Sequence, residues 1–368
     1  MSKKIVIIGA GPIGCFTAQL LKLYGFNPLV IEEHSQIGRP IHCTGLVGSK
    51  VFTNNNPFSI PKSSIINIIN GAVIHHDGQC FTIERKNVAY VIDRERFDKE
   101  LGQGLDILYH KRFLGLKKTG SGYTVEMDKN NIFADMVIGA DGANSSIRRI
   151  LNPNTGIKCY KGVQFRLKTK VRHKDLVEVY LKKPSFYWVV PERKDIVRVG
   201  TISENPIKDL KYFLSEIKMK GEVLEQYGGL VAIGICGVTA KENMAVVGDA
   251  ACQVKPLSYG GIYFGLEAAS ILASCIKENR LTDYDSLWKM KLAPEIRIGL
   301  KVKNIYNRLY PQDLRNLFSL IKKQKSLIEK IGDFENHSRL ILEMLKKPDF
   351  YRYMSKFIGR LVVSIFNS

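Results

Sequence analysis

Residues 4–14 have the sequence KIVIIGAGPIG, an apolar β-branched run that passes directly into a glycine-rich turn. The apolar run is typical of a strand buried on both faces, and residues 12–24 have helical character. Asn27 to Ile31 predict a second buried strand. This β-α-β order indicates a parallel sheet of the Rossmann type.

Each glycine of the turn meets a need of dinucleotide binding. Gly9 permits the tight turn, Gly11 lets backbone amides approach a pyrophosphate, and Gly14 lets the helix pack close to the strand. Ile13 lies between them at the helix N-terminus, where free N–H groups and the helix dipole favour phosphate. A turn that merely joins strand to helix is the alternative.

Acidic residues after buried strands favour FAD over NAD. Glu32 is the acidic residue expected about 20 positions after the turn, where it would bind ribose hydroxyls, and the glutamate after it points the other way along the strand. Asp141 and Asp249 each follow a buried strand and can hold a ribose or ribityl hydroxyl. Gly261 and Ile262 open a helix behind Asp249 and would offer backbone amides to the flavin. A simple NAD domain needs neither segment.

The middle of the chain changes character. Val163–Val171 and Val177–Leu181 alternate apolar and polar residues, as in a half-solvated antiparallel sheet, whereas residues 51–92 contain only short strand-like pieces. Residues 207–227 and the chain after Leu281 have helical character. We expect an α/β fold: a Rossmann-type FAD-binding domain with a parallel sheet, an antiparallel-sheet substrate domain and a helical C-terminal region. The expected bounds are 1–50, 91–150 and 236–280 for a discontinuous FAD domain, 51–90 and 151–235 for the substrate domain, and 281–368 for the helical region.

The composition is that of a globular protein with an unusual charge. The chain of 368 residues is 45% hydrophobic and 24% charged, which excludes wholesale disorder. Its net charge of +20 favours an anionic partner such as a phospholipid surface, a phosphorylated substrate, an acidic electron donor or nucleic acid. A solvated basic surface without a specific partner is the alternative. Nucleic acid is disfavoured, because the basic residues are spread along the chain without aromatic interleaving.

The cysteines and the apolar segments bear on location. The seven cysteines are scattered, with no C-x-x-C pair or Cys/His cluster, so we expect neither a metal site nor a disulfide framework, and a cytoplasmic location. The N-terminal apolar run lacks the small-residue cleavage site of a signal peptide. No stretch reaches the ~18 uncharged apolar residues that a spanning helix needs. Membrane contact would therefore be peripheral, on the inner face of the cell membrane.

Four separated segments carry further motifs: GRPIHCTGL at 38–46, DRERFD at 93–98, FYWVVP at 186–191 and GDAACQVKPL at 248–257. Together with the glycine turn they resemble the FAD-dependent hydroxylase-type flavoproteins. Within that group they are most similar to the geranylgeranyl reductase family, which includes archaeal digeranylgeranylglycerophospholipid reductases. The resemblance covers roughly residues 3–310.

The resemblance implies roles around the flavin. Cys43, Thr44 and Gly45 would lie beside the isoalloxazine ring, and Arg94 would reach the FAD pyrophosphate. Arg94 also starts a helix after a strand, where its fork of donors can meet a phosphate. A surface salt bridge is the alternative for Arg94, with Arg96 as a substitute. Cys43 by itself is interpreted as a buried structural cysteine, the commonest fate of a free thiol, and only its place in this segment supports a role as proton source or flavin neighbour.

The segment at 186–191 matches the family's aromatic substrate-side motif, except that Val190 replaces an aromatic residue. Alternation places Phe186, Trp188 and Val190 on one face of a strand, which would line an apolar slot for an isoprenoid chain. Pro191 ends the motif. Tyr259 stands where the family often has glycine, so it would narrow the flavin pocket. The alternative is that these side chains form ordinary sheet core. The valine at position 190, where the family has an aromatic residue, leaves the length of the substrate chain or its fit open.

The C-terminal region is basic, with 16 lysines and arginines against 7 aspartates and glutamates from residue 291 onward. Phe357, Leu361 and Ile365 recur every four residues, with Lys356 and Arg360 one turn apart. Such a helix can lie on an anionic bilayer. A closing helix packed on the protein's own core is the alternative.

These observations lead to one expected activity. The chain is expected to be an FAD-dependent reductase that saturates C=C bonds of geranylgeranyl chains in archaeal-type ether lipids by hydride transfer from reduced flavin. Its partners would be a polyprenyl lipid and a reduced electron donor: NADPH, a deazaflavin or a ferredoxin. A flavin-dependent monooxygenase or halogenase of the same fold is one alternative, and a non-catalytic basic lipid-binding flavoprotein is another.

Overall fold

A computed structural model of the chain describes residues 3–53, 58–153, 156–183, 185–353 and 355. Within these ranges the chain forms three β-sheets with helices packed against them. The first sheet is parallel except for its outermost pair, which is antiparallel. Its strands, in spatial order, are β16 (Ala240–Lys241), β17 (Met244–Val246), β10 (Met136–Gly139), β1 (Ile5–Ile8), β2 (Leu29–Ile31) and β6 (Asp106–Leu108).

The centre of this sheet is buried on both faces, as its β-branched sequence predicts. On one face Ile5 and Ile7 of β1 pack in a core with helices α1 (Pro12–Leu23) and α5 (Ile262–Lys277). On the other face Val6 and Ile8 contact the smaller sheet, β7 (Phe113–Thr119), β8 (Gly122–Met127) and β9 (Ile132–Ala134). Helix α2 (Arg94–Leu101) begins just after β5 (Gln79–Ile92) ends, and α3 (Ser146–Leu151) follows the loop after β10.

The second large sheet is antiparallel except for one parallel pair, β12 with β4. One of its faces is covered by α4 (Pro206–Glu216), whose Leu210 and Phe213 are fully buried there. The opposite face is turned toward the segment around residue 45. In spatial order the strands are β15 (Glu222–Ile233), β11 (Lys158–Lys168), β14 (Ile196–Ile202), β13 (Ser185–Arg193), β12 (Val177–Lys182), β4 (Ile65–His76), β5 (Gln79–Ile92) and β3 (Leu46–Gly48).

Helices form the C-terminal region: α6 (Tyr284–Arg308), α7 (Pro311–Lys323), α8 (Lys325–Ile331) and α9 (Ser338–Leu345). The segment between α8 and α9 returns to the body of the protein. Glu335 in this segment is buried, pairs with Lys255 at 2.6 Å and accepts a hydrogen bond from the Gly48 amide at 2.9 Å. The predicted amphipathic helix with Phe357, Leu361 and Ile365 lies outside the described residues.

The fold class predicted from the sequence is confirmed: a parallel Rossmann-like sheet, an antiparallel sheet and C-terminal helices. Two local predictions were wrong. Helix α4 ends at Glu216, and residues 222–233 form the edge strand β15 where the helix was expected to continue to 227. Residues 65–92 form a long hairpin, β4 with β5, where only short pieces were expected.

Candidate functional site

The glycine turn between β1 and α1 leaves its amide groups accessible. Gly9 has a φ of +101°, and a Cβ there would lie 2.6 Å from the carbonyl oxygen of Ala140, so the position requires glycine. Helix α1 starts at Pro12 with Gly11 as its N-cap. A Cβ built on Gly11 would meet nothing within 4 Å. The helix end therefore offers N–H groups and positive dipole to open space, as phosphate binding requires.

Glu32 closes β2 against this turn. Its carboxylate accepts hydrogen bonds from the Ala10 amide at 2.8 Å and from the His34 amide at 3.0 Å, and it contacts the His34 ring nitrogen at 2.6 Å. Glu32 is buried, whereas Glu33 is exposed. The strand thus directs the first glutamate toward the glycine turn, as alternation predicts.

The segment around Asp249 lies against the same turn. A Cβ on Gly248 would come within 3.1 Å of the Ile13 side chain, so residues far apart in the sequence meet here. Gly261 is the N-cap of α5, which starts at Ile262, and a Cβ on Gly261 would collide with the Asp249 carboxylate. Burial raises the pKa of Asp249 to about 6, although Arg94 and Arg148 act to lower it. Among the described residues, none donates a hydrogen bond to its carboxylate.

Arg94 starts α2 beside the predicted flavin segment. Its guanidinium forms a two-pronged ion pair with Asp98, at 3.0 and 2.9 Å, and both side chains are largely buried. Burial by itself lowers the pKa of Arg94. Asp98 and the Cys43 thiol raise it by more, so the pKa of Arg94 lies above its ordinary value. Arg94 therefore makes a salt bridge that is buried, not the surface pair considered as the alternative, and Arg96 pairs with Glu100 at the surface. Its role at a pyrophosphate stays a prediction.

Asp141 is occupied within its own loop. Its carboxylate accepts hydrogen bonds from the Ser145 hydroxyl at 2.6 Å and from the Ser146 amide at 2.7 Å, at the start of α3. These contacts account for an aspartate at this position without a ligand. Its role at a ribose or ribityl hydroxyl stays a prediction.

The segment Cys43–Gly45 is held between helix α2 and the antiparallel sheet. The Gly45 amide donates to the half-buried Cys43 sulfur at 3.3 Å. On one side a Cβ on Gly45 would lie 3.3 Å from Arg94. On the other side the guanidinium of Arg198, on β14, donates to the Thr44 carbonyl at 2.5 Å and to the Ile92 carbonyl at 3.0 Å. Helix α2 and the antiparallel sheet therefore fix this segment.

An aromatic row begins next to Arg198 on the same sheet. Gly200, two residues further along β14, has the same facing as Arg198, and a Cβ there would enter the Trp188 ring. Trp188 and Phe186 on β13 have ring centroids 5.8 Å apart, and Phe186 stacks on Tyr259 at 5.9 Å. The half-buried rings of the row thus extend from beside Thr44 to the loop before α5.

The other members of the predicted aromatic motif lie in the sheet core. Val190 is fully buried in a cluster with Ile69 and Val91. Pro191 is buried, its carbonyl accepts a hydrogen bond from Asn67 at 2.9 Å, and alternation turns its ring away from the Trp188 face. Contact with a substrate stays a prediction for both Pro191 and the aromatic row.

Comparison with known proteins supplies the family. Residues 7–54 match the family model described as an NAD(P)-binding Rossmann-like domain. A geranylgeranyl bacteriochlorophyll reductase-like protein from Thermoplasma acidophilum has the same fold, with a TM-score of 0.82 and 22% identity over 97% of this chain and 99% of its own. An uncharacterized protein of Methanocaldococcus jannaschii is 31% identical over 376 residues, which cover 94% of this chain and 95% of the relative. A digeranylgeranylglycerophospholipid reductase of Methanococcus vannielii is 28% identical over 97% of this chain and 98% of its own.

The chain belongs to the geranylgeranyl reductase family. It is therefore an oxidoreductase built on a flavoprotein fold, and the family and enzyme class expected from the sequence are confirmed. The family assignment extends over nearly the whole chain, including the helical C-terminal region. Within the described ranges, no helix of this geranylgeranyl reductase family member has both the length and the apolarity to cross a membrane.

The residues of this family member fit a flavin dinucleotide. Accessible amides stand at the start of α1, a buried carboxylate lies beside them, and the partly buried Asp249 carboxylate has no donor among the described residues. The amide nitrogen of Gln164, which is only 4% exposed and whose oxygen accepts from the Trp188 indole, also has no partner there. Buried polar groups left unmatched by the protein mark places where a ligand completes the hydrogen bonding.

The sequence analysis missed the charged network behind the Cys43–Gly45 segment. Arg198 donates to Glu192 at 2.8 Å, and Arg166 donates to both oxygens of Glu192. Burial raises the pKa of Glu192, and the two arginines more than offset this and lower it. Alternation over Val163–Val171, which overlaps β11, predicted a half-solvated sheet and gave no reason to bury Arg166. The available signal was a single arginine, Arg198, within the apolar run Ile196–Ile202.

Proposed function

We propose that the protein binds FAD and saturates C=C bonds of geranylgeranyl chains in archaeal-type ether lipids. The observation that carries the proposal is the position of Cys43–Gly45, which contacts Arg94 on one side and Arg198, beside the aromatic row, on the other. Arg94 also acts on the Asp249 carboxylate, whose segment lies against the glycine turn. The Cys43–Gly45 segment would therefore lie between the bound dinucleotide and the apolar face. Relatives named digeranylgeranylglycerophospholipid reductase support the lipid as substrate.

The residues that would hold FAD come from three distant parts of the chain. Amides of the Gly9–Gly14 turn would hold the pyrophosphate, and Glu32 the ribose hydroxyls. Asp249 would accept from the ribityl chain, while the amides of Gly261 and Ile262 would face the flavin. When bound and reduced, FAD would supply a hydride to the double bond.

The aromatic row would orient the substrate. Trp188, Phe186 and Tyr259 present half-buried rings that an isoprenoid chain can cover, removing apolar surface from water. Covering them also excludes water from the neighbouring Cys43–Gly45 segment. The chain's double bond would then be held next to the flavin in a dry environment.

Saturation of an isolated double bond also needs a proton. No carboxylic acid suited to this step is identified in the sequence, and Cys43 or an ordered water are the candidates. Cys43 is half-buried between helix α2 and the antiparallel sheet, where a thiol proton could be delivered. The double bond would gain one hydride and one proton, for a net gain of two hydrogens.

The remaining partners follow from charge and substrate. A reduced donor, either NADPH, a deazaflavin or a ferredoxin, would return electrons to the flavin. The charge of +20 suits peripheral contact with the anionic inner face of the cell membrane, where a lipid substrate would be reached.

One anaerobic experiment tests the activity. Dithionite-reduced holoprotein is mixed with an unsaturated archaeal-type ether lipid, and mass spectrometry follows the lipid. We expect gains of two hydrogens per reduced bond. An unchanged lipid mass, together with rapid oxygen consumption in air with NADPH, would identify a monooxygenase or halogenase instead. A colourless purified protein that takes up no FAD would identify a binding protein without turnover.

A further inference from the structure

Helix α6 places a lysine at the end of the aromatic row. The ammonium of Lys303 lies 4.3 Å from the ring centroid of Tyr259 and 4.7 Å from that of Tyr160, and it donates a hydrogen bond to the Tyr259 hydroxyl. The two tyrosine rings are 5.9 Å apart. Lys303 is thus held in a fixed position by two aromatic faces and one hydroxyl.

Within the part of the chain that the structure describes, this lysine has no counter-ion. Among the described residues, no carboxylate pairs with Lys303. Burial lowers its pKa to about 8, and no neighbouring acid opposes that shift. Aromatic faces compensate an ammonium only in part, so the site holds a partly desolvated positive charge that an anion would stabilise.

The position of Lys303 relative to the row suggests what the anion is attached to. Tyr259 stacks on Phe186, and Phe186 contacts Trp188, so an apolar strip of rings ends at a single ammonium. A ligand with an apolar chain and an anionic end matches this order.

We propose that Lys303, together with Tyr160 and Tyr259, binds the phosphate group of a polyprenyl phosphate ester whose chain lies along Phe186 and Trp188. The proposal rests on the proposed function, because it takes the aromatic row as the site of the isoprenoid chain. It adds the side chains that would hold the phosphate, and thereby a role for Lys303. An anchored head group fixes which double bond of the chain lies beside Cys43–Gly45.

Two ligands with the same chain isolate the phosphate. Geranylgeranyl monophosphate and geranylgeraniol are titrated separately into the FAD-loaded protein at pH 7, and calorimetry gives each dissociation constant. We expect the phosphate to bind about 10–100-fold more tightly, the range for a hydrogen bond to a charged group. In Lys303→Met this preference is lost, while geranylgeraniol binds within about threefold of wild type. Lys301→Met, at an exposed lysine of the same helix, is the matched control and keeps the preference.

Two further measurements test whether the charge of Lys303 is responsible and whether the site binds the lipid ester or free phosphate. Raising the pH through about 8 removes the charge on Lys303, so the wild-type preference falls there, whereas Lys303→Arg keeps it to higher pH. Inorganic phosphate alone should bind at least tenfold more weakly than the ester. If inorganic phosphate binds as tightly as the ester and depends on Lys303, the site is one for free phosphate and the lipid proposal is overturned.

The remaining outcomes are distinguishable. Equal binding of the two chain ligands to wild type overturns the head-group site and leaves the proposed function standing. An equal loss of both ligands in Lys303→Met assigns the lysine a structural role. If wild-type holoprotein binds neither ligand, the polyprenyl substrate itself is wrong and the head-group site is overturned with it.

Discussion

At the scale of single residues, burial destabilises the ionised carboxylate of Asp249, and a ligand that donates hydrogen bonds to this carboxylate would offset the cost. Burial raises its pKa from 3.8 to about 6, so between these values the folded protein retains a proton that the unfolded chain releases. The free energy of unfolding of the flavin-free protein should therefore fall as pH rises from about 4 to 6, and stay low above that. Residues that bind ligands commonly carry such a cost in stability.

Asp249→Asn tests this directly. The flavin-free variant should be more stable than wild type at pH 7, by about 1–3 kcal/mol, and nearly equal at pH 4, as measured by urea unfolding. Its affinity for FAD should fall about tenfold or more, because the amide accepts ligand hydroxyls less strongly than a carboxylate. A variant that is less stable at pH 7 and binds FAD normally would show that the aspartate is structural.

Cys43 is the second residue whose role can be separated from binding. If its thiol delivers the proton, Cys43→Ala should lower lipid turnover about 100-fold or more while the FAD content of the purified protein stays the same. Cys43→Ser, with a weaker acid of similar size, should be intermediate. Wild-type turnover in the alanine variant would leave an ordered water as the proton source.

At the scale of elements, the strands β11, β13 and β14 carry the ion network that supports Cys43–Gly45. Arg198→Met removes a buried guanidinium and leaves the Thr44 carbonyl without its donor. Removing one member of such a network should lower the free energy of unfolding by about 3–5 kcal/mol. The binding of FAD should weaken as well, since the segment beside it loses its support.

The control for this variant lies on the same sheet. The side chain of Arg193 is 59% exposed, and its guanidinium makes no closer approach to the Glu192 carboxylate than 4.0 Å. Arg193→Met should therefore change the free energy of unfolding by less than about 1 kcal/mol. Urea unfolding and FAD titration are measured on both variants. If Arg198→Met is less stable but binds FAD with unchanged affinity, the network contributes to folding and does not support FAD binding.

Sequence patterns predicted the elements best where geometry is local. The β1 turn requires glycine at Gly9 for its positive φ, so its sequence signature is strong. Strand β15 is an edge strand in which the apolar residues Val223 and Leu230 are exposed and Gly228 and Gly229 add no side chain, so its sequence lacks the apolar alternation that distinguishes a strand from a helix. The Arg198 network and the Lys303 cage join residues that are distant in sequence, which no local pattern reports.

At the scale of the whole molecule, the C-terminal region is fastened to the body by a buried ion pair. Lys255 and Glu335 are 3% and 2% exposed, and Lys255 also donates to the Phe334 carbonyl at 2.8 Å. Lys255 follows the Asp249 segment, and Glu335 bonds the strand that follows Cys43–Gly45. The helical region therefore braces both parts of the candidate site.

Glu335→Ala should lower the free energy of unfolding by about 3–5 kcal/mol, because it leaves Lys255 buried without a counter-charge. Replacing the pair together, with Lys255→Met and Glu335→Leu, should recover most of this loss. The exposed pair Lys346 and Glu343 provides the comparison, and Glu343→Ala should have an effect below about 1 kcal/mol. Equal effects of the two alanine variants in urea unfolding would contradict the bracing role.

The meeting of Ile13 with Gly248 also has a consequence for biosynthesis. Strand β1 leaves the ribosome early, yet its neighbours β10 and β17 and the start of α5 are made only after about residues 139, 246 and 262. A nascent chain that stops short of α5 has the glycine turn but lacks the residues that would face it across the proposed FAD site. If the protein binds FAD as proposed, uptake of the cofactor would follow synthesis of α5, and the yellow colour of a preparation would report that these distant segments have come together.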